Sequence, residues 1–280
     1  MTVAPTAQPR LEVGRVVSRT FSLAAGQALL LFPVAAVSQA LSRVVGWLVF
    51  ATNPLLFMPA PVRNATWHPL DQLKPVSDQF IQGIFGVAMA WIAYTALSGI
   101  KVSPREAIAA WSRALVPIAV TQLAICALAL VEIPITYGLT VHPSGWTIAA
   151  SLLGSLLWLI AFIYLALGWW VVGPVVIVEN RGPIDALRRS FELTRGYRWA
   201  LFGIGFVVTA ATAVPMWALW LLNGTGIPPR IALPLWSAAG AASLLLQIAL
   251  SVLMAVAAAV AYSDMRRFKE GAPAQADVFA

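Results

Sequence analysis

The side chains that could do chemistry are few. His68 and His142 are the two histidines, and neither has a cysteine or carboxylate neighbour at metal-ligand spacing. Cys126 is the single cysteine and lies in an apolar run, so neither a disulfide framework nor a thiolate metal site can be assembled. No HExxH, P-loop or GxSxG pattern occurs. The expectation is a protein with no catalytic residue, no metal and no cofactor.

Three groups of ionisable residues remain. Glu132 is a carboxylate within an apolar segment, where a charge costs roughly 3 kcal/mol on insertion scales. It should face the bundle interior, an aqueous cavity or the outer interface. Glu179 stands just before Arg181, Arg188, Arg189, Arg195 and Arg198. An ion pair tying one span to the next segment suits it better than a catalytic acid does. Arg188, Arg189 and Arg195 could grip a lipid phosphate through forked hydrogen bonds, although bulk anionic lipid would solvate them equally well.

Residues 173–199 position those arginines. A helix starting at Pro183, whose missing N–H costs nothing in the first turn, is sharply two-faced. Ile184, Ala186, Leu187, Ser190, Phe191, Leu193 and Tyr197 fall on one half; Asp185, Arg188, Arg189, Glu192 and Arg195 fall on the other. Such a helix suits the boundary between headgroups and acyl chains, lying flat on the inner surface of a membrane.

Composition agrees. The chain is 60% hydrophobic and 10% charged, against roughly 25% charged in soluble domains. The net charge of +7 would suggest nucleic acid in a soluble protein. Here the basic residues flank apolar segments, so the expected partner is anionic phospholipid and nucleic acid is not expected.

In chain order, residues 1–10 read as a disordered tail without a signal-peptide pattern. Residues 11–23 form a second amphipathic helix, with Arg15 and Arg19 on its polar face. A first span over 24–50 carries Arg43 and Trp47 towards an interfacial end, and residues 51–78 read as an external loop. A second span covers 79–100. Residues 103–114 then form a third interfacial helix, with Ser103 and Glu106 as a capping box, Pro104 in the first turn and Arg105 facing outward. Further spans fall at 115–139, 146–172, 200–222 and 235–262, with a bend at Gly173 and Pro174. A polar tail covers 264–280. The fold class is thus all-α: a polytopic membrane domain over 11–263, with six transmembrane helices and three amphipathic interfacial ones.

Arg15, Arg19, Arg105, Arg113, Arg266, Arg267, Lys269 and the central arginines fall on one side of this threading. Arg43, Arg63, Lys74 and Arg230 fall on the other. By the positive-inside rule both termini are cytoplasmic. Trp111 and Trp199 on the inner side, Trp67, Trp146 and Trp236 on the outer, and the pair Trp169 and Trp170 suit aromatic belts. Gly203, Gly205 and Gly240 suit close helix packing. Each interfacial helix precedes an odd-numbered span, which suggests three tandem units of helix plus hairpin.

The run PVVIVENRGPIDALRRSFELTRGYRW, with Glu179, Asn180, Pro183, Ala186, Leu187, Ser190, Leu193, Thr194, Gly196 and Trp199, and the ending with Tyr262, Asp264, Arg266 and Gly271, resembles the membrane domain of the glycerophosphoryl diester phosphodiesterase family. That resemblance covers nearly the whole chain. It implies a six-span bacterial inner-membrane protein of poorly defined role. In fused members a separate barrel holds the metal and its ligands; the chain read here has no such barrel, so that activity is not expected.

Two functions stay open. One is a non-enzymatic scaffold, regulatory or partner-binding module on anionic lipid, with a homo-oligomer or a membrane protein as partner. The other is a carrier or permease for a lipid or other amphiphile. A cavity decides between them.

Overall fold

The computed structural model describes residues 11–51, 73–100, 103–131, 145–222 and 238–271. Among these residues there are nine α-helices and no strand: α1 (Val13–Gly26), α2 (Ala28–Ala51), α3 (Leu73–Leu97), α4 (Pro104–Ala129), α5 (Gly145–Gly168), α6 (Val172–Val178), α7 (Pro183–Thr194), α8 (Arg198–Leu222) and α9 (Ala238–Glu270). Six segments are long and apolar enough to cross a membrane: α2, α3, α4, α5 with α6, α8 and α9. A helix of about 24 residues rises about 36 Å, enough for a hydrocarbon core of about 30 Å. The protein is an all-α polytopic membrane protein.

The core is built on α9. Its stretch from Ala255 to Met265 is almost wholly buried and rich in alanine, and α1, α2, α3 and α8 pack on it. Between helices in lipid, small residues let backbones approach and dispersion contacts accumulate, since lipid tails are as apolar as leucine.

Several boundaries differ from the sequence reading. The capping box forms as expected: Glu106 N donates to Ser103 Oγ at 3.3 Å, and Ser103 N donates to Glu106 Oε2 at 2.8 Å. The helix that it starts does not end near residue 114, however. It runs unbroken to Ala129 through Pro117. Residues 103–114 are therefore the first turns of a span, not a separate interfacial helix. Trp111 donates its indole N–H to Ile84 O at 3.0 Å and packs against Phe85.

The bend in the fourth span comes earlier than Gly173 and Pro174. The helix stops at Gly168 and resumes at Val172. Pro174 lacks the N–H that would bond to the Trp170 carbonyl, so a continuous helix cannot pass through the preceding turn. The Gly168 carbonyl accepts Ser190 Oγ–H at 2.9 Å and lies 3.2 Å from Thr194 Oγ.

The sixth span continues helically to Glu270, so residues 264–270 are not tail. Repeat symmetry is weak as well. α2 packs along α3 and α8 along α9, whereas α4 and α5, the middle hairpin, do not pack along each other. With residues 103–114 absorbed into α4, the second unit also lacks its own interfacial helix.

Candidate functional site

Two constellations stand at opposite ends of the bundle. The first gathers the arginines. Glu179, only 9% exposed, accepts from Arg181 Nε at 2.7 Å, Arg189 Nε at 3.2 Å and Tyr262 Oη at 3.0 Å. Arg189 also pairs with Glu270, which Arg266 reaches at 3.0 Å. Lys269 caps the end of α7, donating to the Arg195 carbonyl at 3.0 Å and to that of Glu192. The local backbone makes this possible: Asn180 (φ 48°) and Gly196 (φ 94°) take left-handed conformations at the two ends of α7, and Pro183 starts it.

The predicted lipid-facing arginines therefore divide. Arg188 is 81% exposed and pairs with Glu192 at 3.4 Å, and Arg15 is exposed near Glu12. Arg195 and Arg105 are also exposed. Arg189 is mostly buried in ion pairs, and Arg19 bonds to buried Asp264 at 3.4 Å. α1 and α7 are docked on protein rather than on lipid alone. Val16, Thr20 and Ala24 of α1 are buried against α8 and α9, and Ala186, Ser190, Leu193 and Thr194 of α7 against its neighbours. Ile184 and Trp199 are exposed on the protein surface, as residues meeting lipid would be. Arg198 stacks over the Tyr164 and Phe191 rings at 4.0 and 4.2 Å. Glu132, His68 and His142 lie outside the described residues.

The second constellation was not foreseen. A cavity of about 1300 Å³ lies among α2, α3, α4, α5, α6, α8 and α9. That exceeds the usual 300–1,000 Å³ of pockets for drug-sized ligands. α4 and α5 both line it without packing along each other.

Its lining is two-sided. Towards the end remote from Glu179 it carries Arg43, Ser42, Lys74, Asp78, Gln79 and Gln122. Counting from Ala28, Arg43 stands about 22 Å along its helix. Towards the Glu179 end the wall is Phe162, Leu165, Trp169, Trp170 and Ala258. Trp169 and Trp170, read earlier as belt residues, belong to this apolar floor. Trp170 is held there by Gly205, since a Cβ at that glycine would come within 2.3 Å of its ring.

Between the poles, a polar node joins three helices. Gln39 Nε donates to Ser251 Oγ at 3.2 Å, and the Ser38 and Ser251 hydroxyls lie 3.4 and 3.0 Å from Gln82 Oε1. The remote pole is different. Ser42 Oγ, Arg43 Nε, Asp78 Oδ1 and Gln122 Oε1 are buried atoms without a hydrogen-bond partner among the described residues. Lys74 is satisfied by Asp78 at 2.6 Å.

A sequence signal for this site exists. Ser38, Gln39, Ser42, Arg43 and Gly46 share one face of α2, and Asp78, Gln79, Gln82, Gly83 and Gly86 repeat the same spacing on α3. Polar and small residues on matching stripes of two spans mark a shared interior.

Among the described residues, no three His, Cys, Asp or Glu side chains come together in a group that could hold a metal. Comparison of the chain with protein-family models, with curated proteins and with solved structures found no match.

Proposed function

We propose that this protein is a carrier for a lipid or other amphiphilic molecule, which it takes from the bilayer into the cavity between its spans. One observation carries the reading: a large cavity whose charged lining residues, Arg43, Lys74 and Asp78, all stand at one pole, beside Trp47, Ile125 and Leu128, and whose other pole is apolar. An amphiphile has the same two-part chemistry. Its tail exchanges acyl chains for an equally apolar wall at little cost, and its head satisfies groups that would otherwise stay unpaired inside a membrane. The reading takes it in from the side between α4 and α5, which do not pack along each other.

The reading includes an orientation. The basic residues of α1, α7 and the last turns of α9 gather at one end, and by the positive-inside rule that end is cytoplasmic. Both termini then lie inside, in a bacterial inner membrane, as the resemblance to the phosphodiesterase-associated membrane domain implies. The exposed Arg15, Arg105, Arg188 and Arg195 rest among anionic headgroups there. No reaction is assigned.

A second reading, a non-enzymatic scaffold or partner-binding module, is favoured by α5. Leu152, Leu153, Leu156, Leu157, Leu159 and Ile160 are each more than half exposed, so a broad apolar face is uncovered. A membrane partner or a second copy of the chain would cover it as well as lipid does.

Lipids retained after gentle extraction test the carrier. Leu250→Trp fills the cavity, and Leu156→Trp is a control on the outer face of α5. The carrier reading expects Leu250→Trp to lose bound amphiphile while Leu156→Trp keeps it, with both unfolding at the parent temperature. Equal retention in both variants leaves the cavity without a ligand and moves the balance to the scaffold.

A further inference from the structure

We infer that the remote pole of the cavity is a headgroup site for an amphiphile whose head couples an anionic group to N–H or O–H donors. The inference rests on the carrier reading and adds the chemistry of the ligand. α2 and α3 run antiparallel, and two contacts fix their register. Ser38 Oγ meets Gln82 Oε1 at 3.4 Å, and a Cβ placed on Gly46 would lie 3.3 Å from the stem of Lys74. One turn inward from the second contact and one turn outward from the first, Ser42 comes level with Asp78. Gln122 reaches in from α4, its side chain laid over Gly83, where even a Cβ would collide with it at 2.2 Å.

Ser42, Arg43, Asp78 and Gln122 all line the cavity, and their unpartnered atoms, covered while it is empty, define the complement for a head towards which these side chains turn. Arg43 Nε–H is a donor, and among the described residues Arg43 has no carboxylate within ion-pair distance, so it calls for an anion. Asp78 Oδ1 and Gln122 Oε1 are acceptors and call for donors. Ser42 Oγ serves either. Ser42 and Gln122 are only 4% and 6% exposed, so water from outside the cavity does not satisfy them. A bare fatty acid would meet Arg43 and leave the acceptors empty; a phosphate ester carrying an ammonium or hydroxyl meets all four groups. Its tail would run towards Trp169 and Trp170.

The test uses the full chain in a neutral maltoside detergent, with an equimolar mixture of dioleoyl phosphatidylethanolamine, dioleoyl phosphatidylcholine and dioleoylglycerol, and native mass spectrometry to read which is bound. The first two carry the same charges and differ in N–H donors; the third lacks the anion. Expected is about a tenfold preference for phosphatidylethanolamine over each of the others. Arg43→Gln should bring it down to the dioleoylglycerol level, Arg43→Lys should keep much of it, and Gln122→Met should erode the preference over phosphatidylcholine.

Equal binding of all three lipids, or a preference untouched by Arg43→Gln, overturns the headgroup site. If Leu250→Trp still removes all three together in that case, the carrier reading survives without it. A further arm adds free phosphoethanolamine. Failure to displace the lipid supports an amphiphile as the ligand. Displacement at equal concentration keeps the chemistry of the pole but assigns it to a soluble ester, which overturns the amphiphile part.

Discussion

The Tyr262 hydroxyl donates to the Glu179 carboxylate at 3.0 Å, joining residues 83 positions apart. It pins the loop after α6 to the most buried part of α9, and Tyr262 itself is fully buried. Because Glu179 also receives Arg181 and Arg189, one carboxylate holds α6, α7 and α9 in fixed relation. A buried carboxylate of this kind is stable only while its donors stay in place.

Tyr262→Phe removes one donor and keeps the ring against Tyr94. The expected loss is about 1.5 kcal/mol, the scale of a hydrogen bond to a charged group. Thermal unfolding in detergent should show a fall of a few degrees. Glu179→Ala should cost more, about 3 kcal/mol, because Arg189 and the Tyr262 hydroxyl are then left inside without their shared acceptor. Arg188→Ala, at an exposed pair, should stay within about 0.5 kcal/mol of the parent. If Arg188→Ala proved the most damaging of the three, the ion-pair hub would be misassigned.

Gly205 tests how the cavity floor is held. A Cβ there meets the Trp170 ring at 2.3 Å, so Gly205→Ala must push the indole towards the cavity. The expected cost is about 1–3 kcal/mol for overpacking, together with reduced amphiphile retention. Gly14→Ala in α1 has open space around it, and should instead gain about 0.5–1 kcal/mol from helix propensity. Unfolding temperature and bound lipid, measured on both variants, check the pair.

The orientation can be read with cysteines in a Cys126→Ala background. Arg188→Cys lies at the basic end and Gly145→Cys at the other end of the bundle. An impermeant maleimide applied to intact cells should label Gly145→Cys, and Arg188→Cys only after permeabilisation. The opposite pattern would turn the protein over in the membrane and move the proposed headgroup pole to the inner side.

How much of this could be seen in the sequence follows from the range of each signal. The spans are legible because about 20 apolar residues in a row are a local property. The Ser103–Glu106 cap is legible because its partners are three residues apart, and the pairing of Glu179 because its arginines follow within one helix. The burial of α1 and α7 is not legible. An amphipathic face looks the same whether it meets lipid or the buried faces of neighbouring helices, and only tertiary packing decides. The fusion of 103–114 with the span after it is not legible, because a capped amphipathic stretch followed by an apolar run reads the same whether or not the helix continues, and Pro117 is accommodated in α4. The cavity was hardest, since Arg43, Asp78 and Gln122 come from three helices and converge only through the register of α2, α3 and α4. Arg43 alone reads as an interfacial residue near a span end, and only the matched stripe on α3 argues otherwise.

Two serines of this cavity separate structural polarity from polarity kept for a ligand. Ser251 is engaged: it takes the Gln39 amide proton at 3.2 Å and lies 3.0 Å from Gln82 Oε1, linking α2, α3 and α9. Ser251→Ala takes that link away and leaves both glutamines short of a partner in a membrane interior. Side-chain hydrogen bonds there are worth about 0.6–1.7 kcal/mol, so a drop of about 1 kcal/mol is expected. Ser42 is the more deeply buried of the two, but its hydroxyl has no partner among the described residues. Ser42→Ala removes an unsatisfied group, and should leave stability unchanged or slightly raised. Its effect should show instead in weaker retention of the amphiphile, most for a ligand with a polar head. Thermal unfolding and native mass spectrometry on the two variants should therefore move in opposite senses: stability falls with Ser251→Ala, ligand with Ser42→Ala. An equal loss of stability in Ser42→Ala would mean that its hydroxyl is bonded within the protein, and would take one of the four groups away from the proposed headgroup site.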